Sequence, residues 1–217
     1  MVLETTKILK TIDHTLLKAV ATWEEIQQLC DEALELGTAS VCVPPRFVKP
    51  IHDKYGDALV ICTVIGFPLG YSTTEIKVAE VEQAVAQGAG EVDMVVDLGD
   101  VKSGAFDKVT AEIAALKAAA GDKVLKVIIE TCYLTQEEKI ALCRCVTEGG
   151  ADYIKTSTGF GTGGARLEDI ALFRRHIGPN VKIKAAGGIR TREAFEAFLE
   201  AGCHRIGSSS AAVLVSE

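Results

Sequence analysis

Aromatic residues are scarce in this chain, 6% of 217 residues with a single Trp. No apolar run reaches the roughly 18–20 residues of a membrane span, so no membrane association is expected. The opening Met1-Val-Leu-Glu-Thr-Thr-Lys lacks the apolar stretch of a secretory leader, which predicts a cytoplasmic protein. Basic residues are the minority. The 23 Lys and Arg against 30 Asp and Glu leave a net charge of −7, so a polyanion is repelled on average and nucleic acid is not expected as a partner. Only four His occur and none is spaced with another for a metal site. No metal and no other cofactor is expected. The seven Cys include no Cys-x-x-Cys, and Cys143-x-Cys145 is too tight for a zinc ribbon. Most sit in apolar runs such as Val41-Cys-Val43, as buried reduced thiols do.

What is present is a repeat. Eight short β-branched runs begin at Thr11, Ala39, Val60, Glu91, Leu125, Asp152, Lys182 and His204. Between them lie stretches of helical periodicity. Trp23 to Leu36 puts Trp23, Ile26, Leu29, Cys30, Ala33 and Leu34 on one face. Thr22 with Glu25 forms a capping box there and Gly37 a stop. Thr73 to Gln87 repeats the plan with Val78, Val81 and Val85 inward and Gly88 as the stop. Thr135 to Val146 starts on a Thr cap with Glu138 three later. Thr191 to Ala201 turns Ala194, Phe195 and Phe198 inward and stops at Gly202. Strands apolar on both faces, alternating with helices, predict a parallel sheet covered outside. Eight such units predict a single (β/α)8 TIM barrel over residues 1–217. An open doubly wound sheet is the alternative, but no Gly-x-Gly-x-x-Gly follows the first run.

In such a barrel the chemistry belongs at the C-terminal ends of the strands. The polar residues there are Asp13 and His14, Asp93 and Asp97, Glu130, Lys155 to Thr158, Lys184, and Ser208 to Ser210. Lys155 and Lys184 lie within apolar runs on neighbouring strands. Each could snorkel to the rim or pair with a carboxylate. Two aimed at one mouth suggest more. A lysine must be neutral to attack a carbonyl, and a second ammonium with desolvation disfavours its charged form. This is how a Schiff-base amine is activated. Asp93 could move protons or simply balance the lysines. His14 and Glu130 read better as supporting groups, and Asp13 is closer to the mouth.

A second signal is a phosphate cradle. Gly187-Gly-Ile-Arg-Thr191 follows the seventh strand and opens a helix, and Gly207-Ser-Ser-Ser210 follows the eighth and opens the last one. Barrels commonly bind phosphate between these two loops, using backbone N–H groups at helix N-termini. Gly187, Gly188, Ile189, Arg190, Gly207, Ser208 and Ser209 are therefore the expected anion contacts. Thr158 and Gly159 close a third side.

At these residues the chain resembles the deoxyribose-phosphate aldolases, a class I aldolase family. The resemblance runs through Ile12-Asp-His-Thr-Leu-Leu-Lys18, Glu91-Val-Asp-Met-Val95, Lys126-Val-Ile-Ile-Glu-Thr131, Ala151-Asp-Tyr-Ile-Lys-Thr-Ser-Thr-Gly-Phe160 and Lys184-Ala-Ala-Gly-Gly-Ile-Arg-Thr191. It implies a phosphorylated sugar and a short aldehyde as small-molecule partners. It implies Lys155 as the Schiff-base lysine, Lys184 as its perturber, Asp93 as the proton-relay carboxylate and Asp13 as a supporting one. Rival expectations are another Schiff-base barrel enzyme acting on a phosphosugar, and a phosphosugar-binding barrel without catalysis. Barrels of this kind often pair, so a homodimer or homotetramer is expected. Three departures stand out. Phe160 replaces a lysine that some members place near the phosphate. Gly161-Thr-Gly-Gly suggests a looser loop. The chain stops at Val215-Ser-Glu217 without an aromatic-tipped tail, so relay chemistry through such a tail is not expected.

Overall fold

The β-branched runs become strands, and they close on themselves. The structure is a computed structural model that describes residues 4–215. The strands are β1 (Ile12–Thr15), β2 (Ser40–Val43), β3 (Ile61–Ile65), β4 (Glu91–Val95), β5 (Val124–Ile128), β6 (Tyr153–Lys155), β7 (Lys182–Ala186) and β8 (Arg205–Ser208). They pair in sequence order, all parallel, with β8 returning to β1 in a closed barrel. This is the (β/α)8 architecture that the repeat predicts, and closure leaves no sheet edge.

The helices form the outer ring. They are α1 (Thr5–Leu9), α2 (Trp23–Leu36), α3 (Val48–Tyr55), α4 (Thr74–Ala86), α5 (Leu98–Lys102), α6 (Phe106–Ala120), α7 (Gln136–Glu148), α8 (Leu167–His176) and α9 (Arg192–Glu200). Thr22 and Thr135 close the capping boxes expected of them, and Thr191 accepts from the Ala194 amide. Thr73 precedes α4 without a side-chain bond. Gly37 ends α2 in the left-handed region at φ 67°, which costs glycine nothing. None of the helices is long and apolar enough to cross a membrane, among the described residues.

Several details differ from the sequence reading. Leu34 is exposed, because α2 buries only Ile26, Leu29, Cys30 and Ala33. In α4 the wholly buried residues are Val81, Ala84 and, unexpectedly, Lys77, while Val78 and Val85 are only partly buried. Helix α7 continues to Glu148, two residues further than expected. Among the described residues no α-helix follows β8; the chain makes a 3₁₀ turn over Ala211–Val215. The N-terminal reading at 1–3 and the tail reading at 216–217 fall outside the described residues.

Alternation along the strands divides two interiors. Val41, Val43, Ile61, Ile65, Val92, Met94, Val127, Ile154, Ile183 and Ile206 belong to the apolar cluster shared with the helices. The opposite faces point into the barrel. There the branched apolar layers usual in such barrels shrink to a small cluster of Cys42, Cys62 and Val64, with Val95 and Ile128 level with Lys155. Charged residues take the remaining space.

Candidate active site

Register explains why these charges meet. Asp93 is the partner of Lys126 between β4 and β5, and Lys155 the partner of Lys184 between β6 and β7. Residues level on adjacent strands face the same way. All four side chains therefore enter the barrel, as do Asp13, Glu91 and Arg205 from β1, β4 and β8.

Asp93 is the hub. Its Oδ2 accepts from Lys155 Nζ at 2.7 Å and from Lys184 Nζ at 2.6 Å. Its Oδ1 accepts from Lys126 Nζ at 2.9 Å and from the Cys62 thiol at 3.2 Å. Asp13 accepts from Lys184 through Oδ2, and through Oδ1 from Ser40 at 2.8 Å and Arg205 at 2.7 Å. Arg205 forks onto both oxygens of Glu91 at 2.7 and 2.6 Å, and Lys126 lies 2.5 Å from the same carboxylate. Burial works against both Asp13 and Asp93 carboxylates. The surrounding cations outweigh it, Lys184 first at Asp13 and Lys126 first at Asp93, and hold both well below the usual range.

Lys155 and Lys184 share the Asp93 Oδ2, so one carboxylate oxygen faces both amines at once. Burial disfavours the charged form of Lys184, but Asp13 and Asp93 overcome it and raise its proton affinity above that of an ordinary lysine. The same balance, with Asp93 the strongest anion, raises Lys126. The perturbing influence of the cations is a property of the whole cluster. It holds four cations (Lys126, Lys155, Lys184, Arg205) and three carboxylates (Asp13, Glu91, Asp93), an excess of one positive charge when all are ionised.

Of these groups only Lys155 reaches a cavity. Its side chain is 4% exposed on the floor of a space of about 320 Å³, while Lys184, Asp13 and Asp93 lie wholly buried beneath. Every expected anion contact lines that cavity: Thr158, Gly159, Gly187, Gly188, Ile189, Arg190, Gly207, Ser208 and Ser209. Gly187 and Gly188 adopt φ 90° and 84°, a turn that side chains resist, and α9 begins four residues on. Two hydroxyls are already engaged. Ser208 Oγ donates to the Ile189 carbonyl at 2.7 Å and braces the two cradle loops. Thr158 Oγ1 donates to Glu130 and accepts from the Phe160 amide at 3.0 Å. The 3₁₀ turn after β8 offers less dipole than the expected helix, so α9 is the helix N-terminus at this cradle.

The other candidates find structural partners. His14 points away from the barrel, with Nε2 3.0 Å from Glu32 of α2. Glu130, at φ 51°, anchors the loop after β6 through the Thr158 amide and hydroxyl. Asp97 caps α5. The Gly161–Gly164 loop is packed, not loose. A Cβ at Gly164 would stand 2.2 Å from the Gly187 carbonyl, and the Ala165 amide bonds to the Ala186 and Gly187 carbonyls at 3.1 Å. Phe160 sits at the cavity rim with its ring edge-on to Phe67, centroids 5.3 Å apart.

Sequence reasoning passed over Lys126, Glu91 and Arg205. The signal was present, since each is a charge within a β-branched run, the pattern that marked Lys155 and Lys184. It also passed over Cys42, Cys62 and Asp93, and Asp13, Cys62 and Glu91, as ligand-like groups. Their carboxylates already face the four cations.

The profile of the DeoC/LacD family aldolases matches residues 7–214. A deoxyribose-phosphate aldolase of Clostridium botulinum (strain Alaska E43 / Type E3) is 64% identical over 209 residues, covering 96% of this chain and 95% of that one. One from Clostridioides difficile (strain 630) is 58% identical over 203 residues, 94% and 93% of the two chains. Among solved structures, the deoxyribose phosphate aldolase of Aeropyrum pernix superposes with a TM-score of 0.91 at 32% identity, covering 98% of this chain and 92% of that one.

Proposed function

The chain belongs to the DeoC/LacD family of aldolases, and on that premise we propose that it cleaves 2-deoxy-D-ribose 5-phosphate reversibly to acetaldehyde and D-glyceraldehyde 3-phosphate. One observation carries the reading. The amine of Lys155 lies on the floor of the cavity, bonded at 2.7 Å to a buried carboxylate that also holds a second buried lysine.

Lys155 attacks the sugar aldehyde and forms an iminium, which draws electrons from the neighbouring C–C bond. The proton of the adjacent hydroxyl leaves as that bond breaks and glyceraldehyde 3-phosphate departs. The remaining enamine takes up a proton, and water releases acetaldehyde. Asp93 and Lys184, joined through one carboxylate oxygen, form the route along which these protons move, directly or through water. Asp13 keeps Lys184 in place. The phosphate rests on the Gly187–Arg190 turn and the Gly207–Ser209 loop, where amides and Arg190 complement its charge.

The test is to reduce the protein with borohydride in the presence of acetaldehyde and map the adduct by mass spectrometry. Labelling at Lys155 is expected, and labels scattered over surface lysines would refute the assignment. Lys155→Leu should abolish turnover in a coupled glyceraldehyde 3-phosphate assay while leaving the melting transition in place. Binding of sugar phosphate without aldehyde release would instead indicate a barrel that only binds its ligand. Preference for a ketose donor over acetaldehyde would indicate a different Schiff-base enzyme. The reading includes a cytoplasmic homodimer or homotetramer. All seven thiols are free, as a reducing compartment keeps them, and the Aeropyrum pernix relative is described as having a unique tetrameric structure.

A further inference from the structure

Lys126 is wholly buried, yet it touches no part of the cavity. Its Nζ lies 2.5 Å from Glu91, 2.9 Å from Asp93, 3.3 Å from the Cys62 sulfur and 3.7 Å from Asp13. A group so placed can act on the chemistry only through its neighbours.

Resting on the aldolase reading above, we propose that Lys126 is a positioning residue of the site. It holds one oxygen of Asp93 so that the other serves Lys155, and it adds a buried cation to the side of the cluster away from the cavity.

The argument is a comparison of three amines. Lys184 is held by two carboxylates, Asp13 and Asp93. Lys126 is held by Glu91 and Asp93, with Asp13 a little further away. Lys155 has Asp93 alone. The cluster carries one surplus positive charge, and a buried surplus is costly. Without Lys126 the cluster would balance at three charges of each sign when all are ionised, and Asp93 Oδ1 would lose the cation that holds it.

The charged groups around these amines come from every strand that faces them. Glu91 and Asp93 of β4, Cys62 of β3 and Tyr153 of β6 approach Lys126. Lys184, Arg205 and Asp13 approach from β7, β8 and β1. Cys42 of β2 lies near both Lys155 and Lys184. The step controlled is Lys–NH₃⁺ plus an aldehyde giving an iminium plus water. A C–N bond forms and the carbonyl C–O bond breaks. The two protons that nitrogen loses leave with the oxygen as water, and the positive charge stays on nitrogen.

The experiment measures the rate of borohydride-trapped acetaldehyde adduct at Lys155 from pH 6 to 10 in wild type and three variants. Lys126→Met should move the midpoint of this rate profile to higher pH, because the buried cluster has then lost a cation. Lys126→Arg should restore the midpoint towards wild type. Glu91→Gln, which enlarges the surplus, should move it to lower pH. A purely structural lesion lowers the amplitude and cannot move the two midpoints in opposite directions. If Lys126→Met fails to fold, the Glu91→Gln shift alone decides. Midpoints that stay put, or move the same way, overturn the proposal while leaving the aldolase reading intact. Absence of a Lys155 adduct in wild type overturns both.

Discussion

Lys77 offers the sharpest test of how charge is carried in this fold. It is wholly buried on α4, donating at 2.9 Å to the Val95 carbonyl at the end of β4 and at 2.9 Å to Glu112 of α6. Burial pushes the Glu112 carboxyl above its ordinary value, and Lys77 opposes that rise. Lys77→Met leaves a buried carboxylate without its cation and a carbonyl without its donor. Breaking one side of a buried pair costs about 3–5 kcal/mol. A chain of this size loses about 2–4 °C per kcal/mol, so the melting temperature should fall by about 6–20 °C at pH 7.5. The sign with pH follows from Glu112. A carboxyl whose proton affinity rises on folding favours the folded state at low pH and penalises it as pH climbs through the raised value. The deficit should therefore shrink on acidification, as Glu112 takes up a proton. Lys77→Met with Glu112→Leu should recover much of the loss, since an apolar pair replaces an ion pair at little cost. Melting curves of the three proteins at several pH values decide the matter. A drop under about 3 °C at neutral pH, or one indifferent to acid and to the second substitution, would refute the reasoning.

Three further outcomes are expected. Asp93→Asn should lower kcat by about 10²–10⁴-fold, the range of a positioned proton-transfer group. Because Asp93 is held well below the usual carboxylate range, the stability it gives the wild type is present at neutral pH and lost as pH falls through that depressed value, so denaturation curves of the variant should show a flatter acid limb. Phe160→Lys, at a rim position 55% exposed, should lower KM for the phosphorylated substrate by about two- to fivefold with kcat unchanged, as a solvent-screened ion pair allows. Thr135→Ala removes the capping hydroxyl that accepts from the Glu138 amide at 3.2 Å and should cost about 1 kcal/mol in a denaturation curve, with activity unaffected.

The barrel is legible because each unit announces itself locally. Thr22 and Thr135 begin helices, Gly37 ends one, and runs such as Val60–Ile65 have no other sensible use. Lys155, Lys184 and Asp93 are legible because a charge within such a run is out of place. Lys126, Glu91 and Arg205 are charges within such runs too, but how they meet is hidden. The sequence alone does not say which face of a strand looks into the barrel. That depends on register, which pairs Asp93 with Lys126 and Lys184 with Arg205. Engagement of the Ser208 and Thr158 hydroxyls is hidden too, because it depends on how loops of different units cross. The Gly161–Gly164 segment shows the same limit. Glycines that suggest freedom in the sequence turn out to permit contact with the loop after β7.

A charged interior also bears on why this chemistry needs a barrel. Ion pairs taken out of water contribute little net stability, and well-packed apolar residues in their place are often as good or better. The stabilising burial must therefore come from elsewhere, and it comes from the outward faces of the same strands against the helices, where Ile61, Val92, Val127, Ile154, Ile183 and Ile206 are at most 1% exposed. One strand thus performs both tasks, with one face making the apolar seam and the next residue entering the ion cluster. The closed parallel register keeps those inward charges level with one another, and it leaves water access at the mouth, where Lys155 sits. An apolar replacement for Glu91 and Arg205 would relieve the cost at the base of the barrel, but it would also remove one anion and one cation from the balance that singles out Lys155. Because both losses are equal, the surplus charge would survive, and the distance of the pair from the mouth would decide how much catalysis changes.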